Sequence, residues 1–242
     1  MGKFIAFLYG SVSYVVFLGA FLYSIGFVGN IVVPKSIDSG PEGPFGTALA
    51  INVVLLLIFA IQHNVMARPA FKTWWTRIVP TAVERSTFVL LSSLILILLF
   101  WQWRPMTGMI WNVDQPIVVL VLQIIFWLGW LIVLLSTFMI NHFDLFGLRQ
   151  VYLNLRDQKY TMLAFKKTGL YHIVRHPLMM GFIIAFWAAP VMTVGHLLFA
   201  GVTTVWILFS IKLEQRDLAT YHEEYEDYKK DTAMVIPIPK AK

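Results

Sequence analysis

Cysteine is missing altogether from these 242 residues, and only 13% of them are Asp, Glu, Lys or Arg. The first absence excludes disulfides, thiolate zinc sites and cysteine nucleophiles. The second excludes an ordinary soluble domain, in which about a quarter of residues carry charge. Strand-length alternation of polar and apolar residues is lacking too, which argues against a membrane β-barrel. What remains is apolar: 58% of the chain. Five stretches, 4–34, 43–67, 86–103, 115–143 and 176–211, contain no Asp, Glu, Lys or Arg. Each is near or above the ~18–20 residues that cross a bilayer as a helix. An all-α, polytopic integral membrane helical bundle follows.

The spacing predicts helices at about Phe4–Val28, Phe45–Met66, Ser86–Trp103 and Gln115–Ile140. The first follows Lys3 but outruns the ~7–15 residues of a signal-peptide core and lacks a small-x-small cleavage site, so it is expected to be retained. Between the helices lie a Gly- and Pro-rich loop, Asn30–Pro44, and a basic loop, Ala67–Arg85, carrying Trp74 and Trp75. A polar segment, Asn141–His176, precedes the last apolar stretch. As one helix, 176–211 would reach ~54 Å, too long for a hydrocarbon layer of ~30 Å. Pro190 and Gly195 lie near its middle, so a helical hairpin of 178–189 and 194–211 is expected. With six crossings, every Lys and Arg except Lys35 and Arg104 falls on one side. That side is the cytoplasm by the positive-inside rule. Both termini and the polar segments are expected there. The simplest organisation is one domain over 1–242: a four-helix membrane part (1–140), then a loop, the hairpin and a cytoplasmic tail helix (141–242).

Polar residues gather at the edges of these spans. Arg175-His176-Pro177 opens the hairpin. Proline suits the first helical position, free N–H groups there favour an anion, and Arg175 can grip a carboxylate at two points. Gly181, one turn on, would admit a flat group close to the backbone. Simple anchoring of Arg175 and His176 at the headgroups is the competing account. In a tail helix starting near Lys212, Glu214, Asp217, Tyr221, Tyr225 and Tyr228 would share an arc of roughly 80°. Such a face can receive a nucleoside, or can simply pack on neighbouring loops. His142 and Asp144 follow the fourth helix as a candidate proton acceptor and its orienting partner, or as a helix cap. No compact ligand spacing joins the histidines, so no metal site is expected, and neither a phosphate loop nor a dinucleotide fingerprint is present. Nor is a nucleic-acid partner.

The junction and tail together resemble the isoprenylcysteine carboxyl methyltransferase and phospholipid methyltransferase superfamily, whose pattern is R-H-P-x-Y-x-G, a helical hairpin, then E-E-x-x-L and Y-x-x-Y. Here Met179 stands in place of the tyrosine and Gln215 in place of the second glutamate. Over most of the chain, the segments 62–69, 84–87, 100–105, 141–150, 185–188 and 195–200 are similar to the bacterial methanethiol S-methyltransferase family. That resemblance implies a membrane methyltransferase domain using S-adenosylmethionine to convert methanethiol, a small volatile thiol, to dimethyl sulfide, within membrane lipid. It points to Tyr171, Arg175, His176, Pro177, Gly181, Glu214 and Tyr225 for cofactor binding, and to His142, Asp144 and His176 as catalytic groups. Alternatives from the same residues are a lipid-borne methyl acceptor, or a non-catalytic protein such as a transporter or denitrification accessory protein.

Overall fold

A computed structural model of the chain describes residues 2–161, 163, 167–221 and 224–237. In chain order the helices are α1 (Lys3–Gly29), α2 (Phe45–Ala67), α3 (Pro69–Trp75), α4 (Glu84–Gln102), α5 (Pro116–Ile140), α6 (His142–Leu145), α7 (Leu148–Leu155), α8 (Pro177–Trp187), α9 (Val194–Tyr221) and α10 (Glu224–Asp231). Two short strands, β1 (Met109–Asn112) and β2 (Val191–Thr193), pair antiparallel. Helices α1, α2, α4, α5 and α9 are long and apolar enough to cross a membrane, and α8 is a shorter apolar helix. The all-α membrane architecture is therefore as the composition requires. Apolar residues on these helices that face outward, such as Leu22, Ile117 and Val205, meet lipid rather than water.

The chain forms two compact units: Met1–Gly108 with His142–Met162, and Met109–Asn141 with Leu163–Lys242. The units thus interleave along the sequence, with breaks after 108, 141 and 162.

In the first unit α1 packs on α4 and α7, and α2 on α4. Asn30 closes α1 in the left-handed conformation, its N–H bonded to the Gly26 carbonyl, a common way to end a helix. Met66, Phe88 and Val89 form a core cluster, with Phe17, Phe71, Trp75 and Phe146 packed against it. The Phe17 and Phe146 rings stack at 3.8 Å. Gly147 takes φ +84° immediately before α7, and a Cβ there would meet the Ser86 backbone nitrogen at 2.8 Å.

In the second unit α5 and α8 lie against each other along their length. The expected break in the last apolar stretch is present: α8 ends at Trp187 and α9 begins at Val194. Strand β2 occupies the gap and pairs with β1, and the two residues before it are held by Val113 N–H donating to the Pro190 carbonyl (3.0 Å) and by Trp111 Nε1 donating to the Ala189 carbonyl (3.0 Å). The tail differs from expectation. No new helix starts near Lys212, because α9 runs through to Tyr221, and Tyr225 and Tyr228 belong to the separate helix α10. The shared arc from Glu214 to Tyr228 on a single helix does not form.

Candidate cofactor and catalytic site

In the second unit, a short turn at Gly169–His172 delivers the chain to Arg175-His176-Pro177. The segment 232–234 straps this junction from outside. Val174 and Ala233 form a parallel bridge, Arg175 N–H donates to the Ala233 carbonyl (2.8 Å), and His176 N–H donates to the Met234 carbonyl (3.1 Å). Pro177 then takes the first position of α8, as its missing N–H favours.

The guanidinium of Arg175 turns to α10. Its Nη1 donates to the carbonyls of Lys229 (2.6 Å) and Thr232 (3.0 Å), groups that a helix end leaves unmet. The Tyr228 hydroxyl donates to the Tyr171 carbonyl, and the Tyr225 and Tyr228 rings meet edge to face at 5.9 Å. Burial pushes both phenols up to about 12, against the opposing influence of the Arg175 charge. The Tyr171 phenol is raised by burial, then by the charge of Glu214 and by Tyr228. All three tyrosines therefore stay neutral hydrogen-bonding groups at ordinary pH.

His176 is the buried polar centre of the unit's site, only 6% exposed. Its Nδ1 lies 3.5 Å from Oε2 of Glu214, and its Nε2 lies 3.1 Å from the side-chain nitrogen of Gln215. Both partners come from α9, whose helical run past Lys212 carries them to the start of α8. The Glu214 side chain keeps 44% of its surface exposed, so this carboxylate is accessible as well as paired. A buried imidazole between a carboxylate and an amide can hold one proton at Nδ1 and accept another at Nε2.

Tyr171, Arg175, His176, Glu214 and Tyr225, all expected at the site, thus belong to one unit and one network of contacts. Two of the expected residues also have packing partners within the fold. Arg175 directs Nη1 to the α10 carbonyls of Lys229 and Thr232. Gly181 faces α5: a Cβ there would lie 2.7 Å from the Gly129 carbonyl oxygen and 2.9 Å from Val133. Gly129 answers it, since its own Cβ would meet the Ala185 nitrogen at 2.7 Å. Bare backbones at this crossing let α5 and α8 approach closely.

His142 and Asp144 lie in the first unit. His142 is 6% exposed, its Nε2 is 2.8 Å from the Tyr14 hydroxyl, and the Phe146 ring sits edge-on at 4.9 Å. Burial lowers its proton affinity from the ordinary value. Asp144 is engaged by Arg149 Nη1 (2.9 Å) and by the Tyr160 hydroxyl (3.2 Å). Tyr14, Tyr160 and the 232–234 strap were not foreseen. Tyr14 looks like any aromatic in an apolar span, and no motif marks the strap.

Comparison with known proteins adds to this geometry. Residues 51–236 match the NnrU protein family. The chain belongs to the NnrU family. Among its relatives, the methanethiol S-methyltransferase of Mycobacterium tuberculosis is 54% identical over 240 residues, covering 99% of this chain and 98% of that protein. The methanethiol S-methyltransferase of Crocosphaera subtropica is 54% identical over 231 residues, 95% of this chain and 91% of that one. Nurim of Mus musculus is more distant, at 27% over 182 residues, 71% of this chain and 68% of that protein. No solved structure gives a significant match. The NnrU match takes in α3 to α10 and thus every residue of the His176 network.

Proposed function

We propose that this NnrU-family chain is an S-adenosylmethionine-dependent methyltransferase that converts methanethiol to dimethyl sulfide, releasing S-adenosylhomocysteine. The observation that carries the reading is 54% identity, over nearly the whole of both chains, to a protein named for that substrate. The site residues suit such a donor. Glu214 is a partly exposed carboxylate able to accept from ribose hydroxyls or attract a cation. Arg175 has a buried Nε with no hydrogen-bond partner among the described residues. The neutral Tyr171 ring is partly exposed, and the buried Tyr225 phenol stands behind the site as a neutral hydrogen-bonding group. We therefore assign cofactor binding to Tyr171, Arg175, Glu214 and Tyr225, with Pro177 setting the start of α8 beside them.

The donor supplies a methyl group already activated on a positive sulfur, so in-line placement matters more than covalent catalysis. The work left to the chain is handling the thiol proton, because the thiolate is the nucleophile. With a proton on Nδ1 directed at Glu214, the Nε2 lone pair of His176 accepts the thiol proton, and Glu214 stabilises the imidazolium that forms. Gln215 holds Nε2 in the resting state and must yield to the thiol. Proton acceptance is assigned to His176 rather than His142, because the Glu214 carboxylate at Nδ1 can stabilise the imidazolium of His176, whereas His142 lies against the Tyr14 hydroxyl and the Phe146 ring. Asp144 serves the Arg149–Tyr160 cluster.

The charge distribution supports a site facing the cytoplasm, with both termini on that side and the bilayer of the bacterial inner membrane as surroundings. The test incubates detergent-purified protein with S-adenosylmethionine and methanethiol and analyses the headspace. Dimethyl sulfide is expected. Methyl incorporation into lipid without dimethyl sulfide would overturn the assignment.

A further inference from the structure

The two α9 residues that meet His176 are adjacent in sequence and opposite in hydrogen-bonding character. Glu214 brings a carboxylate oxygen to 3.5 Å from Nδ1, and Gln215 brings its amide nitrogen to 3.1 Å from Nε2. The residue is 6% exposed, and the strap holds its backbone through the Arg175 and His176 N–H groups. Neighbours rather than bulk water therefore decide which ring nitrogen carries a proton, as the partner of one nitrogen fixes the state of the other.

An ionised carboxylate only accepts, whereas an amide NH2 only donates. Nδ1 must then carry the proton of the neutral ring, and Nε2 must present its lone pair to Gln215. Turning the Gln215 amide over would bring its oxygen to Nε2 and require a proton there. Nδ1 would then aim a lone pair at the Glu214 carboxylate, acceptor against acceptor. The carboxylate at 214 thus also orients the amide at 215. A glutamate at 215 would copy the shape of the amide and reverse its character. The ring would then lie between two acceptors with both nitrogens protonated, and an imidazolium has no lone pair to offer a thiol.

We propose that Gln215 is a positioning residue for the methyl transfer: by donating to Nε2 it keeps the His176 proton on Nδ1 and holds the Nε2 lone pair at the place the thiol takes. The proposal rests on methanethiol as the acceptor. On entry, the thiol S–H replaces the amide as donor to Nε2. The S–H bond breaks and the proton stays on Nε2. The thiolate forms its new bond to the methyl carbon as the old sulfonium–methyl bond breaks, and that bond's electron pair stays on the sulfur of S-adenosylhomocysteine. The Glu214 side chain beside the protonated ring is 44% exposed, which gives the proton a way out to water.

The test pairs nitrogen NMR with kinetics on the full chain in neutral detergent. Protein labelled with ¹⁵N-imidazole histidine contains six such rings, and the His176 signals are those missing from His176→Gln. At neutral pH the parent should show a protonated Nδ1 and a bare Nε2. Gln215→Glu should show both nitrogens protonated and should lower turnover at saturating donor by at least about tenfold, part of the roughly 10²–10⁴ that a positioned base supplies. Its affinity for S-adenosylmethionine in calorimetry should fall by less than its turnover. Gln215→Met, which matches the length without the amide, should show a neutral ring and a smaller loss of turnover. A residue that only packs would give the reverse order, because glutamate is the closer copy. The parent spectrum and Gln215→Met carry the test should Gln215→Glu fail to fold. A parent Nε2 that carries a proton would overturn the proposal. So would Gln215→Glu turning over at least as fast as Gln215→Met, or Gln215→Met turning over at the parent rate. A parent that formed no dimethyl sulfide would instead sink the reading of the reaction, and the spectrum would still decide which nitrogen Gln215 leaves bare.

Discussion

The Nδ1 atom of His176 stands 3.5 Å from Oε2 of Glu214, although 38 positions separate the two in sequence. Helix α9 makes the pairing by continuing beyond the apolar layer, and the 232–234 strap fixes the histidine backbone opposite it. A buried imidazole oriented by a carboxylate is arranged to take a proton. His176→Ala should therefore lower turnover at saturating donor by roughly 10²–10⁴, the usual contribution of a positioned general base. Glu214→Gln should both slow turnover and weaken donor binding. Headspace quantitation of dimethyl sulfide gives the first, calorimetry with S-adenosylmethionine the second. A His176→Ala protein turning over at the parent rate would remove this histidine from the mechanism.

Tyr225 and Tyr228 give a prediction at alkaline pH. Burial raises both phenols from their ordinary 10.0 to about 12. The folded state thus favours the neutral phenol more than the unfolded chain does. Stability from this source is whole below pH 10 and drains away as pH rises toward 12. A stepwise alkaline titration followed by tyrosine absorbance and circular dichroism should show loss of α10 packing in that window. Tyr225→Phe should move the loss to higher pH. A titration of all nine tyrosines in a single step near pH 10 would contradict the packing described.

The parts of this architecture legible in the sequence are those written in local chemistry. Charge-free runs gave the spans, because lipid tolerates nothing else of that length, and Pro190 marked the hairpin break. Arg175-His176-Pro177 announced a helix start because proline suits it. The tail was misjudged for a physical reason: Lys212 ends an apolar run without ending a helix. Leu213, Glu214, Gln215 and Arg216 are all good helix formers, so α9 passes straight through. Long-range pairings had no local signature. Nothing near Tyr14 points to His142, 128 positions away, and the β1–β2 ladder pairs two segments too short to show a period. The close approach of Gly181 to α5 was not legible because a bare backbone serves a ligand and a neighbouring helix equally well.

The Tyr14–His142 pair makes stability depend on acid. Burial lowers the proton affinity of His142 below its ordinary 6.5, so the fold favours the neutral ring. Stability from this group is complete above pH 6.5 and is lost as pH falls through the lower, folded-state value. Thermal unfolding in detergent between about pH 5 and pH 8 should show a midpoint that drops on the acid side. His142→Phe should flatten that drop. Tyr14→Phe should cost about 1–3 kcal/mol, because it leaves a buried ring nitrogen without its hydroxyl partner. A midpoint that falls just as steeply in His142→Phe would assign the acid sensitivity elsewhere.

Two glycine substitutions should have opposite signs. At Gly181 an added methyl would press on the Gly129 carbonyl at 2.7 Å and on the Val133 backbone nitrogen at 2.9 Å. Backbone cannot swing aside as a side chain can, so α5 and α8 must separate. Gly181→Ala should cost about 1–3 kcal/mol, the usual penalty of overpacking. At Gly19, inside α1, an added methyl meets nothing within 4 Å. Gly19→Ala should stabilise by roughly 0.5–1 kcal/mol, because alanine loses less backbone freedom in a helix. Thermal unfolding of both variants in one detergent reads the difference directly. If Gly181→Ala unfolded at the parent temperature or above, the crossing would be looser than these distances state. Gly181 would then also offer a surface for ligand approach.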